Sequence, residues 1–77
     1  MDKKKIVEIF AANIRAERAR KNYTQEKVAE YADISTEYLS RIENGKACPT
    51  TLVIANLALA LGVTLDTLLP LDNLKNN

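Results

Sequence analysis

The chain has 77 residues, of which 47% are hydrophobic and 27% are charged, so it suits one small globular domain and is too apolar for a disordered segment. No apolar run approaches the roughly 20 residues that cross a bilayer, and the first residues show no secretory signal. Cys48 is the one cysteine and histidine is absent, which excludes an internal disulfide and favours a reduced, cytoplasmic setting without a metal or other cofactor.

The spacing of apolar residues predicts five helices and no sheet, because no segment alternates with period two. The first helix runs from about 4 to 21, with Ile6, Phe10 and Ile14 at four-residue spacing along one buried stripe. Asn22 follows this helix, and asparagine tolerates the left-handed conformation that a helix end favours.

The second and third helices, at about 25–32 and 36–44, are short and closely joined. Thr24 and Ser35 each precede a helix-forming run by one residue, where a hydroxyl accepts from an unpaired backbone N–H. Gly45 follows the third helix, where a left-handed residue commonly closes a helix. A turn of helix-turn-helix size separates the two helices, over Ala32, Asp33 and Ile34.

The third helix keeps a polar face free of apolar side chains. The apolar residues of the two helices and their turn are Val28, Ala29, Ala32, Ile34, Leu39 and Ile42. The polar face offers groups that can reach a base edge or a phosphate, namely Thr36, Glu37, Ser40, Arg41 and Asn44. A free polar face on the second helix of such a pair predicts a DNA-reading element.

The net charge of +1 counts against a strongly basic DNA-coating protein. Residues 1–46 hold ten of the eleven lysines and arginines, but they also hold eight acidic residues. A basic surface would therefore require the cations to cluster in space. We expect specific DNA binding with a modest non-specific component.

The fourth helix, about 51–61, follows Thr50 and stops at Gly62, and Thr64 caps a short fifth helix at about 65–69. The fourth helix is apolar nearly all round. One stripe closes the core and contains Ile54, Leu57, Ala58 and Leu61.

A second apolar stripe lies on another side of the fourth helix. It contains Leu52, Ala55 and Leu59, with further contributions expected from Leu65, Leu69 and Leu71. A contiguous exposed apolar area usually marks an interface, so we predict a homodimer formed through this surface. The alternative is that the fifth helix or the N-terminal residues fold over it.

Two charged residues fall on core-facing stripes. Arg18 continues the ladder of Phe10 and Ile14 by four residues, and Glu43 follows Leu39 by four residues. A charge that points into a core needs a partner of opposite sign. We therefore predict a structural salt bridge between Arg18 and Glu43 that ties the first helix to the end of the third.

Five motifs follow one another along the chain: I-R-A-E-R, T-Q-E-K-V-A, S-T-E-Y-L-S-R-I-E-N-G-K, P-T and L-A-L-A-L-G-V-T-L-D-T-L-L. In these motifs and their order, about residues 10–69 resemble the phage-repressor and Cro type of helix-turn-helix domain. The resemblance implies an all-α, compact five-helix, lambda-repressor-like DNA-binding domain over residues 1–77. It also implies a cytoplasmic transcriptional regulator, a repressor or dual regulator, that binds double-stranded DNA as a homodimer on a palindromic operator.

The resemblance also implies residue roles. Gln25 matches a glutamine that typically grips a backbone phosphate and braces the recognition helix, while Asn44 and Lys46 match positions that commonly meet phosphates. Asp33 and Asn22 stand where the family usually has glycine, and both residue types tolerate positive φ. The outward positions of the recognition helix are matched by Ser35, Thr36, Glu37, Ser40 and Arg41.

For the outward residues, base reading competes with simpler roles. Arg41 is the best candidate for specificity because its guanidinium can bond both acceptors of guanine; a phosphate contact or a solvated side chain is the alternative. Glu37 accepts from a cytosine amino group, repels wrong sequences, or is solvated. Tyr38 either bonds a phosphate or packs at the edge of the core.

Other functions have less support. An enzyme is the weakest, because the chain has no histidine, no glycine-rich phosphate loop and no metal-ligand spacing. A protein-interaction role is stronger, because similar domains serve as antitoxins, and the second apolar stripe would then contact a toxin. A controller protein of a restriction–modification system is a third reading, which the length also fits.

Overall fold

The computed structural model describes residues 2–74, so Met1 and residues 75–77 of the predicted domain lie outside the described residues. Within that range the chain forms helices and no strand, which confirms the all-α fold class. The helices are α1 Lys3–Arg20, α2 Gln25–Ala32, α3 Thr36–Glu43, α4 Thr51–Leu61, α5 Leu65–Leu68 and α6 Leu71–Leu74. The five predicted helices are present, and α6 is an additional single turn after Pro70.

The helix beginnings are defined by side-chain caps. A hydroxyl one residue before each of α2 to α5 accepts from a backbone N–H three residues later, at 3.0–3.3 Å. These caps are Thr24, Ser35, Thr50 and Thr64. Asp2 does the same for α1, because its Oδ1 accepts from the Lys5 amide at 2.7 Å. The cap starts α1 at Lys3, one residue earlier than its predicted boundary.

A residue with positive φ follows each of the first four helices within two residues of its end; these are Asn22, Asp33, Gly45 and Gly62, at 57°, 60°, 71° and 68°. At the end of α2, Asp33 N–H donates to Glu30 O at 3.2 Å and Ile34 N–H donates to Ala29 O at 3.0 Å. This pair of reversed bonds satisfies carbonyls that the helix leaves unpaired. Because α2 includes Ala32, the turn of the motif is residues 33–35, one residue later than predicted.

The core lies between α1, α2, α3, α4 and α5, and its buried side chains are Phe10, Ile14, Val28, Ala29, Ala32, Leu39, Ile42, Leu57, Ala58, Leu61 and Leu68. Two side-chain amides tie the layers together: Asn13 Nδ2 donates to Leu68 O at 2.9 Å, and Asn56 Nδ2 donates to Ala32 O at 3.4 Å. The predicted stripe of α4 faces this core: Leu57, Ala58 and Leu61 are buried, and Ile54 is half-buried and packs against the core. Along residues 2–74, no helix combines the length and apolarity needed to cross a bilayer.

Positive φ at Asp33 makes a stability prediction with an internal control. Asp33→Ala should be less stable than Asp33→Gly by about 1 kcal/mol, because a Cβ is unfavourable in the left-handed region. At the exposed helical position Glu30 the order should reverse, with Ala more stable than Gly by about 1 kcal/mol. Urea denaturation of the four variants measures both differences. The same order at both positions would contradict the left-handed turn.

Candidate nucleic-acid interface

The polar face predicted for α3 lies on the surface of the molecule. Glu37, Arg41 and Asn44 are exposed, whereas Thr36 and Ser40 are half-buried. The opposite side of α3 is buried and consists of Leu39, Ile42 and Glu43. The helix therefore presents hydrogen-bonding groups outward, and its apolar side contacts the core.

The Arg18–Glu43 ion pair predicted from the helix stripes is present. Arg18 Nε donates to Glu43 Oε2 at 2.8 Å, and a second guanidinium nitrogen donates to Oε1 at 3.0 Å. The Glu43 side chain is 3% exposed and the Arg18 side chain 24% exposed, so the carboxylate is enclosed while the guanidinium reaches water. The hydrogen bond to Glu43 raises the pKa of Arg18 above its usual value, against a smaller opposing effect of burial.

Two further side chains complete the environment of Glu43. Gln25 Nε2 donates to Glu43 Oε1 at 3.1 Å, so Gln25 braces α3 from the first residue of α2. Arg15 donates to the Glu43 backbone carbonyl, one of the last carbonyls of α3. Arg15 was not predicted from the sequence, although its place three residues before Arg18 on α1 puts both on one helix face. The end of α3 is thus anchored to α1 and α2.

The segment after α3 stays close to the exposed face. Lys46 N–H donates to Arg41 O at 2.8 Å, and Gly45 N–H donates to Ile42 O at 3.1 Å, so the chain folds back over the last turn. Asn44 and Lys46 are exposed there. The Arg41 guanidinium forms no ion pair with any residue between 2 and 74. Its charge remains available to a ligand.

Three candidates sit at the edges of the face. Tyr38 is half-buried and packs against the core, which is the second of its two predicted roles. Ser35 accepts from the Tyr38 amide at 3.0 Å as the cap of α3. Thr36, the first residue of α3, is half-buried beside this cap.

An aromatic cluster that was not predicted from the sequence lies at the start and on the surface of α2. The rings of Tyr23 and Tyr31 meet edge to face with centroids 6.0 Å apart. Lys27 Nζ lies 5.7 Å from the first centroid and 5.6 Å from the second. Lys27 and Tyr31 are four residues apart on α2, a spacing that predicts their contact, whereas Tyr23 precedes the helix and is placed by the fold. This contact holds the Lys27 ammonium at the surface of α2.

The second apolar stripe of α4 is largely uncovered. Leu52 is 70% exposed and Leu59 is 79% exposed, so among residues 2–74 neither α5 nor the N-terminal residues cover them. Leu65 and Leu71 are also exposed, and Ala55 is half-buried. Leu69 differs from the others because it is half-buried and packs against the core.

The chain belongs to the Cro/C1-type helix-turn-helix family, whose model matches residues 14–68. It is 40% identical over 63 residues to the uncharacterized HTH-type transcriptional regulator YazB of Bacillus subtilis, covering 82% of this chain and 91% of YazB. The match identifies a helix-turn-helix transcriptional regulator with a DNA-binding domain.

Two solved structures of small transcription regulators have the same fold as this chain. The hypothetical transcription factor NHTF from Neisseria matches this chain with a TM-score of 0.81 at 29% identity, and the match covers 100% of this chain and 91% of that one. The restriction-modification controller protein C.AhdI from Aeromonas hydrophila has a TM-score of 0.78 at 26% identity, covering 80% of this chain and 94% of that one. Both likenesses support the lambda-repressor-like fold.

The enclosed carboxylate makes a prediction about stability. Arg18→Ala should lower the free energy of unfolding by about 3–5 kcal/mol, because it leaves Glu43 buried without its cation. Arg41→Ala is the control: Arg41 is exposed and forms no ion pair with any residue from 2 to 74, so a loss of at most about 1 kcal/mol is expected. Chemical denaturation measures both. Equal losses would show that the Arg18 pair adds nothing beyond a surface contact.

Proposed function

We propose that this regulator binds double-stranded DNA as a homodimer on a palindromic operator and acts as a repressor or dual regulator of transcription. The observation that carries the proposal is the anchored α3, whose polar face is exposed while its buried end is held by Glu43. A helix whose orientation is already fixed in the free protein suits the reading of base edges, because its outward polar groups need no further ordering when DNA binds.

The dimensions of α3 support entry into the major groove. Its eight residues make a helix about 12 Å long, and the major groove of B-DNA is about 12 Å wide. In this arrangement the N-terminal residues of α3, Thr36 and Glu37, approach base edges while α2 crosses the backbone. Arg41, one turn after Glu37, approaches bases from the same face.

Arg41 is the proposed specificity residue. Its exposed guanidinium has no acidic partner in the part of the chain described, so binding DNA does not require an internal ion pair to break. A guanidinium can bond O6 and N7 of guanine together, which gives about 1–3 kcal/mol of discrimination. Glu37 is the proposed partner of a cytosine amino group and a repulsive element against misplaced phosphates.

Phosphate contacts are assigned to Gln25, Asn44 and Lys46, with Ser35 and Ser40 as neutral donors. Gln25 uses one amide hydrogen on Glu43, and its amide nitrogen carries a second hydrogen for a phosphate oxygen. Lys46 supplies a cation just beyond α3. These contacts fix the position of the protein on the duplex without selecting sequence.

Dimerisation is assigned to the second stripe of α4, with Leu52 and Leu59 at its centre and with Ala55, Leu65, Leu69 and Leu71 around it. Burial of a leucine contributes about 1.5–3 kcal/mol, which favours pairing these uncovered side chains with a second copy. Two recognition helices in a symmetric dimer would reach half-sites about 34–36 Å apart. The operator would then be palindromic because the dimer is symmetric.

Selection of bound duplexes from a random pool tests the proposed reading. The wild type should enrich a palindrome, and Arg41→Ala should relax a guanine preference in each half-site by about 1–3 kcal/mol while keeping the rest of the motif. Lys46→Ala is the control, because losing a phosphate contact should weaken binding to all sequences and leave the motif unchanged. An unchanged guanine preference in Arg41→Ala would remove Arg41 as a reader, and no enrichment at low salt would reject sequence-specific binding.

The oligomeric state tests the interface. Leu59→Asp should raise the dissociation constant of the homodimer by roughly 100-fold, because each protomer loses about 1.5 kcal/mol of apolar burial at a symmetric contact. Ala16→Asp adds the same charge at an exposed position of α1 and should leave the dissociation constant of the homodimer unchanged. Sedimentation over a range of concentrations measures both. A monomeric wild type at high concentration would reject the dimer, and stoichiometric co-purification of a toxin would favour the antitoxin alternative.

A further inference from the structure

A basic depression lies where the start of α1 meets the segment after α3. Its volume is about 380 Å³, and it is lined by Lys3, Lys4, Val7, Gly45, Lys46, Ala47 and Cys48. Three of the lining residues are lysines and none is acidic, although the whole chain has a net charge of only +1. The lysines come from two segments more than 40 residues apart, Lys3 and Lys4 from one and Lys46 from the other.

The depression is continuous with the exposed face of α3. Gly45 lines it and also lines a neighbouring depression together with Asn44, the residue that follows α3. On the other wall, α1 runs alongside this segment: Arg15 contacts the Glu43 carbonyl, and a Cβ on Gly45 would lie 3.9 Å from Glu8 Cγ. The first turn of α1 is therefore placed just beyond the end of α3.

No acidic side chain lines the depression. Asp2, the closest acid in sequence, accepts from the Lys5 amide as the cap of α1. Glu8 lines the neighbouring depression and is absent from the walls of this one. The three ammonium groups form no ion pair with any residue from 2 to 74. They repel one another, so an anion placed among them would be favourable.

We propose that Lys3 and Lys4, together with Lys46, form a second contact with the DNA backbone that holds consecutive phosphates of one strand beside the recognition helix. The inference rests on the proposed DNA-binding function and extends its footprint from α3 to the start of α1. Phosphates of one strand follow each other every 3.4 Å along the duplex axis, which gives a row of anions for a row of lysines. Backbone contacts of this kind add affinity and salt dependence without selecting sequence.

The test compares the salt dependence of operator binding for two charge-matched double variants. Lys3→Gln/Lys4→Gln removes two cations from the depression, and Lys5→Gln/Lys21→Gln removes two exposed cations that do not line it. Each change takes the net charge from +1 to −1. Glutamine should not destabilise the start of α1, because replacing lysine there removes the repulsion between a positive side chain and the positive end of the helix dipole.

For Lys3→Gln/Lys4→Gln, the slope of log K against log salt should fall in magnitude by about 1.8 for each bound protomer, which is about 0.9 for each lost phosphate contact. The plots of log K against log salt for this variant and for the wild type should converge near 1 M salt. The preference for operator over random duplex should stay the same. In ethylation-interference experiments, some phosphates whose ethylation blocks binding of the wild type should no longer matter for this variant. The control variant should still require them.

The outcomes separate this inference from the proposed function. If the wild type binds an operator and the two double variants show the same slope and the same interference pattern, the contact at the start of α1 is rejected while DNA binding stands. If the wild type binds no duplex at low salt, the proposed function itself is rejected. A larger slope change in the depression variant than in the control supports the second contact.

Discussion

The buried carboxylate of Glu43 is the constraint on which the arrangement of the motif depends. A charge at the enclosed end of α3 is tolerated only because Arg18 and Gln25 bond both of its oxygens. These bonds tie α3 to α1 and α2, and Arg15 adds a contact to the backbone of the same residue. The orientation of the exposed helix face is therefore set by a polar network as well as by apolar packing.

Short connections allow this network to form in a small domain. Polar caps begin the helices and left-handed residues end four of them, so each turn is closed by its own backbone and side-chain bonds. At the motif turn this task falls to Asp33, whose short polar side chain tolerates positive φ. The turns leave little freedom in how α2 and α3 cross, and the two helices therefore present one defined face.

The molecule separates its two kinds of free surface. Polar and basic groups gather at α3 and at the adjoining start of α1, whereas uncovered leucines gather on α4 and the helices after it. A net charge of +1 conceals this separation, since cations and acids nearly cancel in the sum. The two kinds of free surface therefore lie on different helices of one domain.

Local signals in the sequence specified the helices, their caps and the polar face of α3, because apolar spacing and capping residues act over one or two turns. The same spacing predicted the Arg18–Glu43 pair, since a charge on each of two core-facing stripes requires a partner. The roles of Arg15 and of the lysines at the start of α1 required the folded chain. Arg15 meets Glu43 across 28 residues, and surface lysines follow no periodic rule, so only the packing of α1 against α3 brings these groups together.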